Sequence, residues 1–580
     1  MNFGDLRRTL PTGFQSFDQL RSNRKVVYVD KTAYVYEIAS NRFPQILTRP
    51  RRFGKSTLLS TVKELFLYGL EPHDGQTESY FKGLAIEQLW HDTDHYLVLH
   101  LDFYDLTYNC VSVEEFERKL MRSLKDFCLE RQLKVRDDAF DFGDLFLYVL
   151  KQLPLSSLVL LIDEYDWPIV YFASQPQQLE SCRLLLRSVF GPVKTQSNKF
   201  RCVFFTGVTR FQDLELGSSA GNNFTELSFE KGFAACCGYT RDELKQYFAQ
   251  QLRYAVAVRE KCAPEVVSDA QVENLLNELS VWYDGYSFSG EPDLKVFSPW
   301  SVLRFFSNED ALVQPYWSNE VGNGIPQVLK IALDRLDLPQ LINDASVGDI
   351  EIDSNQFQQS SLLNPKANSS SLLFQTGYLT LCEPFITSGK LHLRCPNKET
   401  RLAFANLLAR HFFNLEEDVF SAESNSQALL ALISLDPDKI RAYFNQILSA
   451  ISYSNFNITN EAAVANFVSV LLFGAELKPR NEVLSSLGRA DCVIDLPRYK
   501  LTIVFEYKFE SSADPKKLEH KLEEAVAQVK KREYCDNAAS EPRVARFALV
   551  FCADPNVRKF THVSLVDTFT RAGFHCASAQ

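Results

Sequence analysis

Methionine is nearly absent, with two in 580 residues, and no two cysteines stand in C-x-x-C spacing. The thirteen cysteines are scattered, with only Cys236 and Cys237 adjacent. That pattern excludes a zinc frame and a disulfide scaffold and reads as free thiols in a reducing compartment. A long apolar run is also lacking. The longest, AAVANFVSVLLFGA from 462 to 475, is too short to span a bilayer and carries Asn466 and Ser469. The N-terminal MNFGDLRRTLPTGF has no apolar signal core. The expectation is a soluble, intracellular, cytoplasmic protein that does not engage a membrane. Positive charge is lacking too, since a net −11 excludes a whole-molecule basic field for nucleic acid. From Glu461 to Gln580, however, 17 Lys+Arg face 16 Asp+Glu, so the acidity lies upstream and the C-terminal end tolerates a polyanion better.

What is present is enough chain for roughly three or four domains of about 150 residues. Forty-five Phe and 23 Tyr point to rigid aromatic packing and identify no chemistry. Residues 43–208 alternate short apolar runs with helix-period segments, the pattern of an α/β domain with a parallel sheet. Strands are expected at FPQILT (43–48), YLVLHLDF (96–103), SLVLLID (157–163) and RCVFFTGV (201–208). From about 236 to 453 the chain reads as mainly helical, broken by FSGEPD (288–293) and by a polar loop at 354–371. A last α/β unit begins near Glu461.

The segment LTRPRRFGKST (47–57) ends as a phosphate-binding loop does, with Gly54, Lys55 and Ser56 in place. Arg49 stands where the generic G-x-x-x-x-G-K-[ST] loop has its first glycine, and Pro50 offers no N–H. An arginine disfavours the positive φ that glycine accepts, so the upper loop must be built differently. Arg49, Arg51 and Arg52 would supply side-chain charge or face outward toward a partner. Upstream, Phe43, Ile46 and Leu47 suit a buried strand. Downstream, Leu58, Leu59, Val62, Leu65 and Phe66 recur at helical spacing up to a Gly69 cap. A helix N-terminus after a tight turn favours phosphate oxygens. Lys55 would reach the β/γ phosphates and Ser56 would ligate Mg²⁺. The competing reading is a basic helix-capping turn.

LVLLIDEYDWP (158–168) supplies a second half: an apolar strand ending in Asp163, which would hold Mg²⁺ or its water, and Glu164, which would orient the attacking water. In FFTGVTR (204–210), Thr206 or Thr209 would sense the γ-phosphate and Arg210 would stabilise charge; ordinary strand-end roles compete.

Near the C-terminus, GRADCVIDLPRYKLTIVFEYKF (488–509) reads as a hairpin turning at LPRY. Its centre would place Asp491 opposite Glu506, and Lys508 on the same face. Opposed carboxylates repel, and a divalent cation between them removes the problem. Mg²⁺ or Mn²⁺ held there, with the Tyr507 carbonyl as a third ligand, would activate water against a phosphodiester. Lys508 would position the nucleophile or offset developing charge. A surface hairpin with a Glu–Lys pair is the bland alternative. Lys516, Lys517, Lys530, Lys531 and Arg532 would meet phosphates or form a solvated helix face. The aromatics of WYDGYSF (282–288) read as core.

Taken in order, YVDKT (28–32), RPRRFGKS (49–56), LLIDEYDWP (160–168), TGVTR (206–210), WYDGYSF, QTGYL (375–379), PNKETR (396–401) and GRAD (488–491) resemble the AAA-ATPase-like proteins that carry a C-terminal PD-(D/E)xK nuclease-like domain. The arginine in the loop is usual in that family. The resemblance implies a P-loop NTPase parallel sheet at 1–235, a mainly helical middle region at 236–453 and a restriction-endonuclease-like α/β domain at 454–580. It implies ATP and Mg²⁺ as cofactors, with Mn²⁺ also suiting the nuclease site. Arg52, Gly54, Lys55, Ser56, Thr57, Asp163 and Thr206 would hold the nucleotide. Ser56, Asp163, Asp491, Glu506 and Glu461 would be the metal residues, and Glu164, Glu506 and Lys508 the catalytic ones. Glu461, Gln528 and Tyr534 enter the site on the resemblance alone. Nucleic acid is the implied partner, DNA ahead of RNA, and related ATPases commonly form homo-oligomers. The function so implied is an ATP-binding, hydrolysing protein coupled to a metal-dependent nuclease. Its rival is a nucleotide-switched interaction or nucleic-acid-binding protein whose nuclease fold is silent.

Overall fold

The computed structural model describes residues 6–570 except 15, 211–223, 290–293, 318–328, 331–332, 335–336, 348–349, 355–356, 358–368, 383–388, 414, 416–419, 421, 452–457, 486–487 and 532–540. Arg532, Tyr534 and most of the polar 354–371 stretch lie outside the described residues; Ser369–Gln375 is a helix. Packing divides the chain into two compact units. One comprises residues 1–316, 326–332 and 352–392, and the other 317–325, 333–351 and 393–580, so the helical middle is apportioned between them.

The first unit is built on a parallel sheet of β1 (Gln45–Thr48), β2 (Leu97–Asp102), β3 (Leu158–Asp163), β4 (Phe200–Gly207) and β5 (Thr225–Glu226), in the order β2-β3-β4-β1-β5. Every residue of β3 is buried, as a strand in a sheet covered on both faces requires. β1 is shorter than its sequence suggests: Phe43 is 70% exposed, Pro44 precedes the strand, and the buried Gln45 donates from Nε2 to the Ile38 carbonyl at 2.9 Å. Helix α1 (Lys55–Tyr68) buries Leu58, Leu59, Val62, Leu65 and Phe66 and stops at Gly69 (φ 56°), whose N–H bonds the Leu65 carbonyl. Helices α2 (Val113–Glu130), α3 (Phe142–Gln152) and α4 (Pro176–Thr195) bring Phe116, Phe146 and Phe190 into one core with Leu160 and Phe205 of the sheet. Then come α5 (Arg241–Tyr247), α6 (Ala249–Glu260), α7 (Asp269–Tyr283) and α8 (Pro299–Ser307). Capping boxes at Thr240/Glu243 and Ser268/Gln271 satisfy the first N–H groups of α5 and α7.

The second unit holds a mixed sheet, β6 (Pro479–Ser485), β7 (Gly488–Leu496), β8 (Leu501–Glu510), β9 (Arg543–Cys552) and β10 (Lys559–Thr570), in the order β10-β9-β8-β7-β6. β8 and β9 run parallel and the other neighbours antiparallel. Helices α10 (Glu461–Gly474) and α11 (Pro515–Lys531) pack on it, and α9 (Lys398–Phe413) packs on α10. PNKETR opens α9: Asn397 Oδ1 accepts from the Thr400 N–H at 2.9 Å, and the buried Glu399 accepts from the Trp317 N–H at 2.8 Å. The β7–β8 hairpin pairs Leu496 with Leu501 through to Cys492 with Phe505 and turns through Pro497–Tyr499. One residue further, that register sets Asp491 opposite Glu506.

Candidate functional site

The order of the parallel sheet puts β4 between β1 and β3, so three strand ends converge where α1 begins. The left-handed residues of the loop are Arg52 (φ 67°) and Gly54 (φ 97°), and Arg49 is not among them. The upper loop is thus built differently from the generic one, with the left-handed turn moved off Arg49. Its side chain neither reaches phosphate nor faces outward: it is 1% exposed and turned into the protein. Nη1 donates to the Thr48 and Ser228 carbonyls at 2.8 Å each, Nη2 to the Phe233 carbonyl at 2.9 Å, and the guanidinium lies 4.2 Å from the Phe288 ring centre. WYDGYSF explains that ring. Trp282, Tyr283, Tyr286 and Phe288 are buried, and Tyr286 and Phe288 pack edge-on to Phe53 of the loop. The aromatic motif is core, and it backs the loop. Arg51 and Arg52 are exposed, each over a tryptophan, Trp167 at 4.9 Å and Trp300 at 4.3 Å.

Gly54, Lys55, Ser56 and Thr57 open onto a cavity of about 480 Å³ that also takes in Arg52, Lys31, Glu164, Cys236, Cys237, Tyr239 and Trp300. This is within the usual range of small-ligand sites, about 300–1,000 Å³. Lys55 Nζ lies 3.4 Å from Glu164 Oε1 and 3.3 Å from the Pro50 carbonyl. Thr206 donates its hydroxyl to Asp163 Oδ1, and the Glu164 N–H bonds the same oxygen at 3.0 Å. Burial raises the Glu164 carboxyl to about 7; Lys55 opposes the shift, and Asp166 and Asp163 add to it.

Two acids that sequence reasoning missed complete this edge. Asp102 pairs in register with Asp163 on the neighbouring strand, and burial together with that charge pushes it to about 6. Its signal was available, because LHLDF ends a strand in an acid just as LLID does. Asp166 is 2% exposed and accepts from the Val208 N–H, the Thr209 N–H and the Thr209 hydroxyl at 3.1, 2.7 and 2.7 Å. Thr209 is thus committed to Asp166, and Thr206 is the threonine joined to Asp163. Arg210 pairs with Glu226 at 3.0 Å and lies over Phe229.

In the second unit, Asp491 Oδ2 accepts from the Tyr507 N–H across the hairpin at 2.8 Å. Glu506 is fully buried, and Lys508 Nζ reaches Glu506 Oε1 at 3.3 Å, Glu461 Oε1 at 3.2 Å and the Tyr507 carbonyl at 2.9 Å. Glu461 is the first residue of α10, whose N-cap Asn460 accepts from the Ala463 N–H. Glu461 and Glu506 thus meet on Lys508, and Asp491 lies within electrostatic reach of them. Burial holds Asp491 above the usual carboxylate range. Burial works against the Lys508 ammonium, but Glu506, Glu461 and Asp491 together outweigh it and raise its pKa. Carboxylate and carbonyl oxygens are the donors Mg²⁺ or Mn²⁺ prefers, so the set fits such an ion. Among the described residues, no three His, Cys, Asp or Glu side chains already converge as a metal cage; the Lys508 ammonium lies between Glu461 and Glu506. Gln528 is half-buried on α11, whose Lys516, Lys517, Lys530 and Lys531 are exposed.

Residues 11–216 match the family model described as Predicted AAA-ATPase, and residues 459–561 match that of the PD-(D/E)XK nuclease superfamily. The chain joins an AAA-ATPase-like domain to a PD-(D/E)XK nuclease superfamily domain. The ATPase-like match covers the loop at 49–56, β3 and β4; the nuclease-superfamily match covers Glu461, the hairpin and α11. A protein of Azotobacter chroococcum mcd 1, described as "Uncharacterized protein in vnfD 5'region", is 25% identical over 503 residues, 84% of this chain and 87% of its own. A likeness of that extent cannot be confined to either domain. Nucleotide and divalent metal are the cofactors such domains generally use. No helix among the described residues is long and apolar enough to cross a membrane.

Proposed function

We propose that the AAA-ATPase-like domain binds and hydrolyses ATP at the Lys55 cavity and that the nuclease-superfamily domain hydrolyses phosphodiester bonds in nucleic acid, DNA ahead of RNA. The observation that carries the second half is the meeting of Glu506 and Glu461 on Lys508, with Asp491 within electrostatic reach. Burying the Glu506 carboxylate and the Lys508 ammonium beside a central strand carries a desolvation cost that their pairing offsets only in part, while Glu461 stays exposed. In the nucleotide cavity, Lys55 and the first N–H groups of α1 neutralise phosphate charge, and Ser56, Thr57 and Arg52 border it. Asp163, with Thr206 bonded to it, and Ser56 would hold Mg²⁺. Glu164, facing Lys55, orients water and accepts its proton. In the nuclease site, Asp491, Glu506 and the Tyr507 carbonyl would hold Mg²⁺ or Mn²⁺, with Glu461 as a further acid. The ion would supply an acidified water and polarise the phosphodiester. Lys508, released from Glu461, would then place its ammonium where negative charge develops on the phosphate oxygens.

The test is cleavage of single- and double-stranded DNA and RNA with Mg²⁺ or Mn²⁺, with and without ATP. Wild type should cut, Glu506→Ala and Lys508→Ala should not, and Lys55→Ala should lose ATP binding. The second reading, a nucleotide-switched binder with a silent nuclease fold, draws on the self-neutralised Glu461–Lys508–Glu506 cluster. Absence of cleavage together with nucleotide-dependent binding of nucleic acid or a protein partner would select it.

A further inference from the structure

Glu164, the residue assigned to orient water, stands in the left-handed region at φ 50°. Residues other than glycine seldom adopt that conformation, and it persists only where the surroundings impose it. A strand continued past Asp163 would send consecutive side chains to opposite faces. The reversal at Glu164 ends β3 instead, and the carboxylate lies 3.4 Å from Lys55 Nζ.

Bonds on both sides of Glu164 impose the reversal. Before it, the Glu164 N–H donates to Asp163 Oδ1 at 3.0 Å, and Thr206 ties the same carboxylate to β4. After it, the Tyr165 N–H donates to the Thr206 carbonyl at 3.0 Å, and the Trp167 N–H closes onto the Glu164 carbonyl at 2.9 Å. The Tyr165 hydroxyl donates to the Thr209 carbonyl at 3.0 Å, and Asp166 takes three bonds from Val208 and Thr209. Asp166 precedes the short helix Trp167–Phe172, where an aspartate ordinarily caps the first N–H groups, yet its side chain makes no cap bond. Both its oxygens go to the turn after β4. It does not reach the ligand either, being 2% exposed and no part of the Lys55 cavity lining. The two turns fit without slack: a Cβ on Gly207 would come 2.5 Å from Asp166 Oδ1.

We propose that Asp166 is a positioning residue for ATP hydrolysis. By fastening the turn after β3 to the turn after β4, it holds Glu164 left-handed, with the carboxylate aimed at the phosphate end of the cavity. The proposal rests on the ATP reading of that cavity and on the role given to Glu164. Phosphates that engage Lys55 take its ammonium from Glu164, and the clamp then keeps the carboxylate in place. Asp166 itself touches neither nucleotide nor water.

The experiment uses the full chain with ATP and Mg²⁺ and compares Asp166→Asn, Glu164→Gln and the double variant. Asparagine keeps the shape but replaces one acceptor oxygen with a donor, which loosens the clamp. Asp166→Asn should bind ATP as wild type does and lose kcat about ten- to a hundredfold, the scale of a misplacement of about 1 Å. In the Glu164→Gln background the same substitution should change the residual rate by less than about twofold, because it acts only through Glu164. Amide hydrogen exchange on nucleotide-free protein adds a readout independent of turnover. Asp166→Asn should speed exchange at Tyr165 and Trp167 as well as at Val208 and Thr209, and leave α1 unchanged. Tyr165→Phe removes one bond of the clamp and should give a smaller loss of kcat at unchanged ATP affinity. Equal fold-losses in both backgrounds, weakened ATP binding with kcat intact, or unmoved exchange at Tyr165 and Trp167 overturns the proposal alone. Should Asp166→Asn fail to fold, wild-type kcat in Tyr165→Phe overturns it. Wild type that binds ATP without hydrolysing it, or Glu164→Gln as fast as wild type, overturns the hydrolysis reading and the proposal together.

Discussion

Arg49→Gly restores the generic spelling of the phosphate-binding loop, and the structure nevertheless predicts damage. The side chain is 1% exposed, donates to three main-chain carbonyls and stacks on Phe288. A hydrogen bond from a charged group contributes roughly 1.5–3 kcal/mol, and a desolvated cation–π contact about 2. These terms share one side chain and do not add. Deleting it also strands the Thr48, Ser228 and Phe233 carbonyls and frees the backbone of a glycine, so a net loss of about 3–5 kcal/mol is expected. Urea unfolding followed by tryptophan fluorescence would read the loss, and a fluorescent ATP analogue would show weakened binding. Arg49→Lys should fall between, since lysine keeps the charge without the planar fork. If Arg49→Gly unfolds within about 1 kcal/mol of wild type and binds nucleotide as well or better, the inward role assigned to Arg49 is wrong.

Glu164→Gln should bind ATP but not hydrolyse it. Because the folded-state pKa of Glu164 is about 7, above the ordinary 4.5, the unfolded chain loses its proton first as pH rises. Wild-type stability should thus decline between those values and level off above them, and the Gln variant should lack that component in urea titrations at several pH values. Metal affinity at the nuclease site should increase with pH, since Asp491 is held above the usual carboxylate range and must release its proton to bind; calorimetry with Mn²⁺ at two pH values reads the slope. Lys508→Ala leaves Glu506 and Glu461 facing each other, so Mg²⁺ should raise the melting temperature of this variant more than that of wild type. Gly207→Ala should cost about 1–3 kcal/mol in thermal or urea unfolding, because its Cβ would lie 2.5 Å from Asp166 Oδ1 and 2.6 Å from the Tyr165 ring.

The strands were legible because each is a short apolar run ending at a polar turn, and the hairpin register because antiparallel pairing has a centre that can be counted to. Asp491 and Glu506 could be paired on that count alone. Glu461 could not: it reaches Lys508 from a helix start 47 positions away, and no local period encodes that meeting. Arg49 was misread for a related reason. Its partners Ser228 and Phe233 lie some 180 residues downstream, so nothing near it in the chain shows it turning inward. Which loop residue takes positive φ depends on how the whole turn closes; here the tolerant glycine keeps its place and Arg52 shares the load. Asp102 carries no motif of its own, and only the pairing of its strand with β3 brings it beside Asp163.

The ATPase-like family match ends at residue 216, but the cavity is walled in part by Cys236–Tyr239 and Pro299–Leu303, and Phe53 leans on Tyr286 and Phe288. A fragment trimmed to the matched boundary would lose one wall of its binding chamber and leave a greasy scar under the loop. It should precipitate or fail to hold nucleotide, whereas a piece carried through His392 keeps the wall and also Phe374 and Thr380, which pack on Phe288 and Ser287.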